Sequence, residues 1–423
     1  MFSFLKKKKQ NIYLDHAATT PLDRRVLEVM NNVYTNNYFN SSSWYRGAVE
    51  TGRLIEQSRA TVAKLLDTQS RNIFFTNGGT ESNNMAVMGI IEKYKKDNSE
   101  IPHIICSNIE HPAVLHTLQN LSEQGSIELD ILPVRENGII DISDLKKILK
   151  PNTALVAIMY ANNEIGTVQP IREITKLVRW YRKQTGNTVY PLVHTDAIQA
   201  TNYLDMSVVK LGVDSMSISG SKIYGPKSAG VLYMKNPDLC VPIMYGGEQE
   251  MGLRPGTLDP ASIVGMTRAL QLVRSDYERE SCGLTVLRDS VFKKLQQHIP
   301  GVIINGSVVD RLPNNINITV PGISSEELVI RCSAAGFDIS AKSACSLDRD
   351  ADDSHVINAL RAIQPHPLTP SPTERGDTAD SVSGSIRITM GRSTTQSDMD
   401  MFVKTLVKIV GDIQENNNKL GIH

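Results

Sequence analysis

Lys222 lies in the run Val213-Asp214-Ser215-Met216-Ser217-Ile218-Ser219-Gly220-Ser221-Lys222-Ile223-Tyr224-Gly225-Pro226-Lys227. A β-rich stretch ends there in small hydroxyl and glycine residues, and Tyr-Gly-Pro then breaks the chain. Ala229-Gly230-Val231-Leu232-Tyr233-Met234 starts a second strand-like run. The spacing predicts strand, turn, strand, with the amine presented at a rigid turn. An amine beside Ser219 and Ser221 could form a Schiff base with pyridoxal phosphate while the hydroxyls hold the phosphate. The plain alternative is an ordinary solvated lysine.

Further polar clusters punctuate the chain. Thr76-Asn77-Gly78-Gly79-Thr80-Glu81 joins a strand to a helix. Gly79 and Thr80 could cup a phosphate at a helix N-terminus, or simply form a capped turn. Asp196, with Gln199 three residues on, could pair with a protonated pyridine nitrogen; alone it also reads as a strand-end cap. His111 follows another strand and could stack on a ring and move protons, or be a structural histidine. Asn162-Asn163-Glu164 is either a set of amides near a ring or a polar turn. Gly246 to Thr257 is a glycine-rich loop bearing Arg254 and Thr257. In Ser343-Ala344-Cys345-Ser346 the small neighbours leave a thiol exposed, as a nucleophile needs. Arg387 falls on a strand, suited to bidentate capture of a carboxylate or to a surface ion pair.

These clusters need elements to hold them. Ile73-Phe74-Phe75 precedes a helix from Thr80, and His103 to Cys106 precedes one from Pro112. Ala154 to Met159 precedes a helix from about Ile171, and Tyr190 to His194 ends at Thr195-Asp196. The repeated β-then-α order predicts an α/β fold, a largely parallel sheet with helices on both faces. Ligands bind such sheets at the carboxyl ends of the strands, where the polar clusters fall. A helical stretch from Ile263 to about Arg279 opens a region of fewer, shorter strands. Its last helix, about Ser397 to Ile413, places Met399, Phe402, Leu406, Ile409 and Ile413 on one face. The expected division is an N-terminal arm (1–20) packing with the small domain, a large cofactor-binding domain (21–262), and a smaller α+β C-terminal domain (263–423). The C-terminal domain carries the cysteine loop (343–353) and a proline-rich insertion (364–380).

A chain of 423 residues exceeds one ordinary core. Lysine plus arginine equals aspartate plus glutamate, 45 each, which gives no overall electrostatic case for nucleic acid or an anionic membrane. No apolar run approaches the roughly 18 residues that span a bilayer. The five cysteines are scattered with no metal-ligand spacing, so neither a disulfide frame nor a metal site is expected, and the setting is a reducing cytoplasm.

From Tyr13-Leu14-Asp15-His16-Ala17-Ala18-Thr19-Thr20 to Gly391-Arg392-Ser393-Thr394-Thr395, about eight motifs in register resemble the cysteine desulfurases of the class V aminotransferase fold (fold type I). The short Ser-Ala-Cys-Ser segment looks like the housekeeping branch. The resemblance implies pyridoxal 5'-phosphate as cofactor, Lys222 as the Schiff-base lysine, Cys345 as the persulfide-forming thiol and His111 as the ring-stacking histidine. It further implies that Asp196 and Gln199 contact the ring nitrogen and hydroxyl. Gly79, Thr80 and Ser219 would hold the phosphate, with Thr257 arriving from a second subunit. Asn163 would lie near the ring, and Arg387 would bind the substrate carboxylate.

Two departures stand out. Ser221 occupies a position where the family usually has histidine, so one phosphate contact would change. Asn40-Ser41-Ser42-Ser43-Trp44-Tyr45-Arg46 stands where the family commonly reads Asn-Pro-Ser-Ser-x-His. The implied reaction takes sulfur from L-cysteine and gives L-alanine plus a persulfide for an acceptor protein, in iron–sulfur assembly or tRNA thiolation. The rivals are a selenocysteine lyase, an aminotransferase or another β-eliminating lyase, and a non-catalytic scaffold that keeps the fold. His111 and Lys222 are the candidate proton carriers, with His111 the expected base for the thiol.

Overall fold

The computed structural model describes residues 11–341, 354–362 and 383–420. Cys345, the rest of the cysteine loop and the proline-rich insertion lie outside the described residues. In chain order, the first half contains β1 (Ile12–Tyr13), α1 (Arg24–Asn36), α2 (Arg46–Leu65), β2 (Ile73–Thr76), α3 (Gly79–Asp97), β3 (His103–Ser107), α4 (Pro112–Glu123) and β4 (Glu128–Leu132). There follow α5 (Ile142–Ile148), β5 (Thr153–Ala157), α6 (Ile171–Thr185), β6 (Leu192–Asp196), α7 (Val208–Leu211), β7 (Ser215–Ser219) and β8 (Gly230–Met234). The remainder is α8 (Pro260–His298), β9 (Ile303–Ile304), β10 (Asn315–Pro321), α9 (Ser325–Ala334), β11 (Phe337–Asp338), α10 (His355–Arg361), β12 (Ser383–Thr389) and α11 (Gln396–Leu420).

Seven strands form the main sheet in the order β2-β8-β7-β6-β5-β3-β4. Every neighbouring pair from β7 to β4 is parallel, and only β8 runs against its neighbours. Side chains alternate between the two faces of a strand, and both faces here are apolar and covered. Phe74, Ile104, Leu155, Leu192 and Leu232 join the core under α3 and α4, whereas Phe75, Ile105, Val156, Val193 and Val231 join the core under α2, α6 and α8. The expected α/β architecture is therefore present. A three-stranded antiparallel sheet, β12-β10-β9, forms a second layer system with α9 and α11. On α11, Met399, Phe402, Leu406, Ile409 and Ile413 are all buried, the stripe read from the sequence.

Two elements join the two sheets. β1 pairs in parallel with β11, and the segment after it continues onto the main sheet. α8 runs 39 residues, well past Arg279, where the apolar spacing lapses through the polar stretch Ser275–Gly283. The stripe resumes at Leu284, Leu287, Val291 and Leu295, all buried, so a division of the chain at residue 262 cuts just inside one continuous helix. No described helix is long and apolar enough to cross a membrane.

The loop between β8 and α8 is pinned by a buried ion pair. Glu250 meets Arg59 of α2 through two hydrogen bonds of 2.7 Å and accepts a third from the Phe75 amide at 2.7 Å. The Arg59 side chain is 7% exposed and that of Glu250 is fully buried. Removing one partner of such a pair strands the other charge away from water, which costs about 3–5 kcal/mol. Glu250→Ala should therefore lose stability of that order in urea unfolding, with Glu250→Gln losing less. A loss below about 1 kcal/mol would show that water reaches Arg59.

Candidate active site

Neighbouring parallel strands of the main sheet present their carboxyl ends along one edge, and most of the sequence-derived residues gather there. β3 leads to His111, β5 to Asn163, β6 ends at Asp196, and β7 runs into a 3-10 turn, Gly220–Lys222. The Asn202 side-chain amide donates to the Lys222 carbonyl at 2.6 Å and fixes that turn. Lys222 Nζ donates to the Ala18 carbonyl, and Gln199 Nε2 donates to the Ala17 carbonyl at 3.0 Å. The segment after β1 thus crosses the edge and touches both side chains.

His111 is the N-cap of α4, and its Nδ1 accepts a hydrogen bond from the Ala113 amide at 3.1 Å. That bond fixes the neutral tautomer, with Nδ1 as acceptor and the proton on Nε2. Burial lowers the proton affinity of the ring, the Asp196 carboxylate opposes that, and Lys222 and His355 reinforce it. Asp196 and Lys222 therefore act on one imidazole from adjacent strands. Behind it, Glu110 Oε1 accepts from Ser107 Oγ at 2.5 Å and from the Met159 amide at 2.9 Å. Burial pushes the Glu110 carboxyl up to about 8.

Arg387 reaches the edge from β12. Its guanidinium donates to the Asn163 carbonyl at 3.1 Å and to Asp15 Oδ1 at 2.6 Å. Its Nε is buried without a hydrogen-bond partner among the described residues. Thr257 is exposed on the outside of its loop, whose Arg254 pairs with Glu81 of α3 at 3.0 Å.

The donors present fit pyridoxal 5'-phosphate. α3 is capped by Gly78 at φ 119, a conformation that favours glycine, and Gly78 offers no side chain to the first turn. Helix N-terminal amides therefore stand open at Gly79 and Thr80, the arrangement that suits a phosphate. Ser219 lies beside them, since a Cβ built on Gly79 would come 3.6 Å from the Ser219 Cβ. Ser219 and Ser221 hydroxyls are 3.1 Å apart. An aldehyde-reactive amine, a carboxylate for a ring nitrogen and a capped imidazole complete the set.

Several residues at this edge were not singled out by the sequence. Asp15 occupies Arg387, and His355, first residue of α10, bonds the Glu110 carbonyl through Nε2 at 3.0 Å. Asn83 Nδ2 donates to Asp196 Oδ2 at 2.7 Å, and its Oδ1 meets His194 Nε2 at 3.1 Å. One signal for these was available. Ser215, Ser217 and Ser219 alternate with Met216 and Ile218, and a strand buried on both faces seeks partners for its polar row internally; Ser215 and Ser219 have them, and Ser217 Oγ has none among the described residues.

Known proteins resemble this chain in sequence and in fold. The family model described as aminotransferase class-V matches residues 12–402. The cysteine desulfurase IscS of Dictyoglomus turgidum is 38% identical over 402 residues, covering 95% of this chain and 95% of that protein. A solved structure titled NifS-like protein superposes with a TM-score of 0.82 at 31% identity, covering 95% of this chain and 100% of that one. A structure titled SspA in complex with cysteine gives a TM-score of 0.71 at 30% identity, covering 90% of this chain and 98% of that one.

The buried acid behind His111 has a pH signature. The Glu110 carboxyl binds its proton more tightly when folded, up to about 8 against an ordinary 4.5. Its contribution is thus fully present below 4.5 and is lost as pH rises toward 8. Denaturation curves at several pH values should show stability falling across that window in the native chain, with a flatter profile in Glu110→Gln. An identical slope in both would remove Glu110 as the cause.

Proposed function

The chain belongs to the aminotransferase class-V family, and on that premise we propose that it is a pyridoxal-phosphate-dependent cysteine desulfurase. It takes sulfur from L-cysteine, releases L-alanine and carries the sulfur as a persulfide on Cys345. The observation that carries this reading is the meeting of Lys222, Asp196 and His111 at the carboxyl ends of β7, β6 and β3, with Arg387 closing the edge from the second sheet.

Gly79, Thr80, Ser219 and Ser221 would hold the cofactor phosphate, with Thr257 of a second copy contributing to the same cup. Asp196 would pair with the ring nitrogen, and Gln199, Asn163 and His111 would contact the ring. Pyridoxal phosphate supplies an electron sink for the substrate α-carbon. Lys222 Nζ anchors the cofactor and then carries the α-proton. His111, with Nδ1 committed to the helix cap, has a hydrogen on Nε2 to donate and no free lone pair to lend. We therefore give the proton-accepting work to Lys222 and leave His111 as stacking partner and donor. Arg387 would anchor the substrate carboxylate, and the position of its guanidinium against the Asn163 carbonyl at the strand ends supports that role. The Cys345 thiolate attacks the substrate sulfur; an S–S bond forms as the C–S bond breaks, and the carbon takes up a proton to become alanine.

A homodimer supports the Thr257 assignment. Trp44 is 95% exposed and Tyr245 86% exposed on this chain, and Tyr38 and Tyr45 are exposed as well. Exposed aromatic side chains are enriched at protein contacts, and a second copy is the partner proposed. The acceptor of the persulfide sulfur is a protein of iron–sulfur cluster assembly or tRNA thiolation. Free thiols at Cys106, Cys240, Cys282 and Cys332 suit the reducing cytoplasm.

Incubation of the pure protein with L-cysteine and a thiol reductant, which reduces the persulfide and releases its outer sulfur as sulfide, should yield alanine and sulfide in equal amounts; a keto acid instead would indicate transamination. Lys222→Ala should lose the visible absorption of bound cofactor. Cys345→Ser should keep that absorption yet form no alanine, and normal turnover in this variant would overturn the thiol assignment. Arg387→Ala should raise KM for L-cysteine by roughly 10-fold or more, the size expected for a lost charge-assisted contact.

A further inference from the structure

Behind Asp196 runs a buried chain of side chains that no step of the reaction uses. On β6, His194 and Asp196 share the face under α3; on β7, Ser215 and Ser217 lie directly opposite them in register. Asn83 comes down from α3 between them. His194, Asn83 and Ser215 are 0–1% exposed. The contacts run Ser215 Oγ to His194 Nδ1 at 2.9 Å, His194 Nε2 to Asn83 Oδ1 at 3.1 Å, and Asn83 Nδ2 to Asp196 Oδ2 at 2.7 Å. The other Asp196 oxygen, Oδ1, accepts from the Ile198 amide at 3.0 Å.

The direction of every donor is determined by chemistry. A carboxylate only accepts, so the Asn83 atom facing Asp196 is its NH2, and Oδ1 must face His194. Oδ1 only accepts, so His194 Nε2 carries the hydrogen. A neutral ring then has its lone pair on Nδ1, which takes the Ser215 hydroxyl hydrogen. The ring is neutral, since complete burial lowers its proton affinity to about 3. Each member therefore has one arrangement.

We propose that Ser215, His194 and Asn83 form a positioning relay that aims the Asp196 carboxylate at the ring nitrogen of the cofactor. This rests on the reading of the site given above. A buried polar network with every member satisfied rigidifies the group at its end, and a donated bond at Oδ2 together with one at Oδ1 leaves a single orientation for the remaining lone pairs. A hydrogen bond donated to a carboxylate also favours its ionised form, which a pyridinium partner requires.

The test loads the full-length protein with pyridoxal phosphate carrying 15N in its ring and records the nitrogen resonance. The native chain should show the protonated-pyridine position. Asn83→Leu and His194→Asn should move it toward the unprotonated position. Cofactor loss on dilution, followed by absorbance, should indicate about 10- to 100-fold weaker binding, the size of one hydrogen bond to a charged group. His194→Gln, whose amide nitrogen reaches the Nε2 position, should restore the native resonance, a rescue that a merely space-filling role would not show. Should Asn83→Leu fail to fold, the contrast between His194→Gln and His194→Asn decides alone. Native resonances in Asn83→Leu and His194→Asn with cofactor bound would overturn the relay while leaving the site reading intact. Failure of the native chain to take up the cofactor would overturn the site reading itself.

Discussion

The site depends on one segment of backbone being held between two sheets. Residues after β1 place Asp15 on Arg387 at 2.6 Å and offer the Ala17 and Ala18 carbonyls to Gln199 and Lys222. The same segment is tied to β12 by the Ala17 amide, which donates to Thr389 Oγ1 at 2.9 Å. Charge and amide groups from residues almost the whole chain apart thus share one short strap. Without it, Arg387 would face the strand ends with its charge unbalanced in a nearly dry environment, which is costly. Asp15 supplies that balance from a position 18% exposed, and Arg387 is only 2% exposed.

Burial sorts the remaining ionisable groups around the strand ends. His194 is held neutral by its surroundings, with proton affinity lowered to about 3, and Glu110 is pushed the opposite way, up to about 8. Both shifts have desolvation as their largest cause, and both remove charge from the interior. What is left to face a ligand at this edge is an amine, a carboxylate and a guanidinium, each oriented by a hydrogen bond to a backbone group. This division follows from a sheet covered on both faces: polar groups beneath the helices must satisfy one another, and only those at the strand ends are available for chemistry.

Much of this was legible in the sequence because strand ends announce themselves. A run such as Leu192–Asp196 stops being apolar where the sheet stops, and the glycine turn after Ser219 places an amine just beyond. The residues that escaped notice have no such local mark. Asn83 reads as one polar position in a helix, and its meaning comes only from the strand beneath it. Asp15 and Arg387 are 372 positions apart, and nothing local links them. β4, half exposed at the sheet edge and carrying Glu128 and Asp130, lacks the apolar run that identified its neighbours. The length of α8 was hidden for a related reason, since its middle turns are polar between two apolar stretches.

The position of Ser221 shows how a site can absorb a substitution. Its carbonyl accepts from the Thr20 amide at 2.8 Å, from Thr20 Oγ1 at 3.1 Å and from Thr19 Oγ1 at 3.4 Å. Those three bonds fix the strap to the lysine turn, and none involves the side chain. The backbone of residue 221 therefore carries the structural duty, and any residue that adopts this turn can perform it. The side chain meets the Ser219 hydroxyl at 3.1 Å, and on the proposed reading it would offer the phosphate one short donor in place of a ring nitrogen. A shorter donor gives up reach but loses little rotamer freedom when it is fixed. The contacts that fix the turn presenting Lys222 therefore run through the backbone of residue 221, and a change of its side chain leaves them in place.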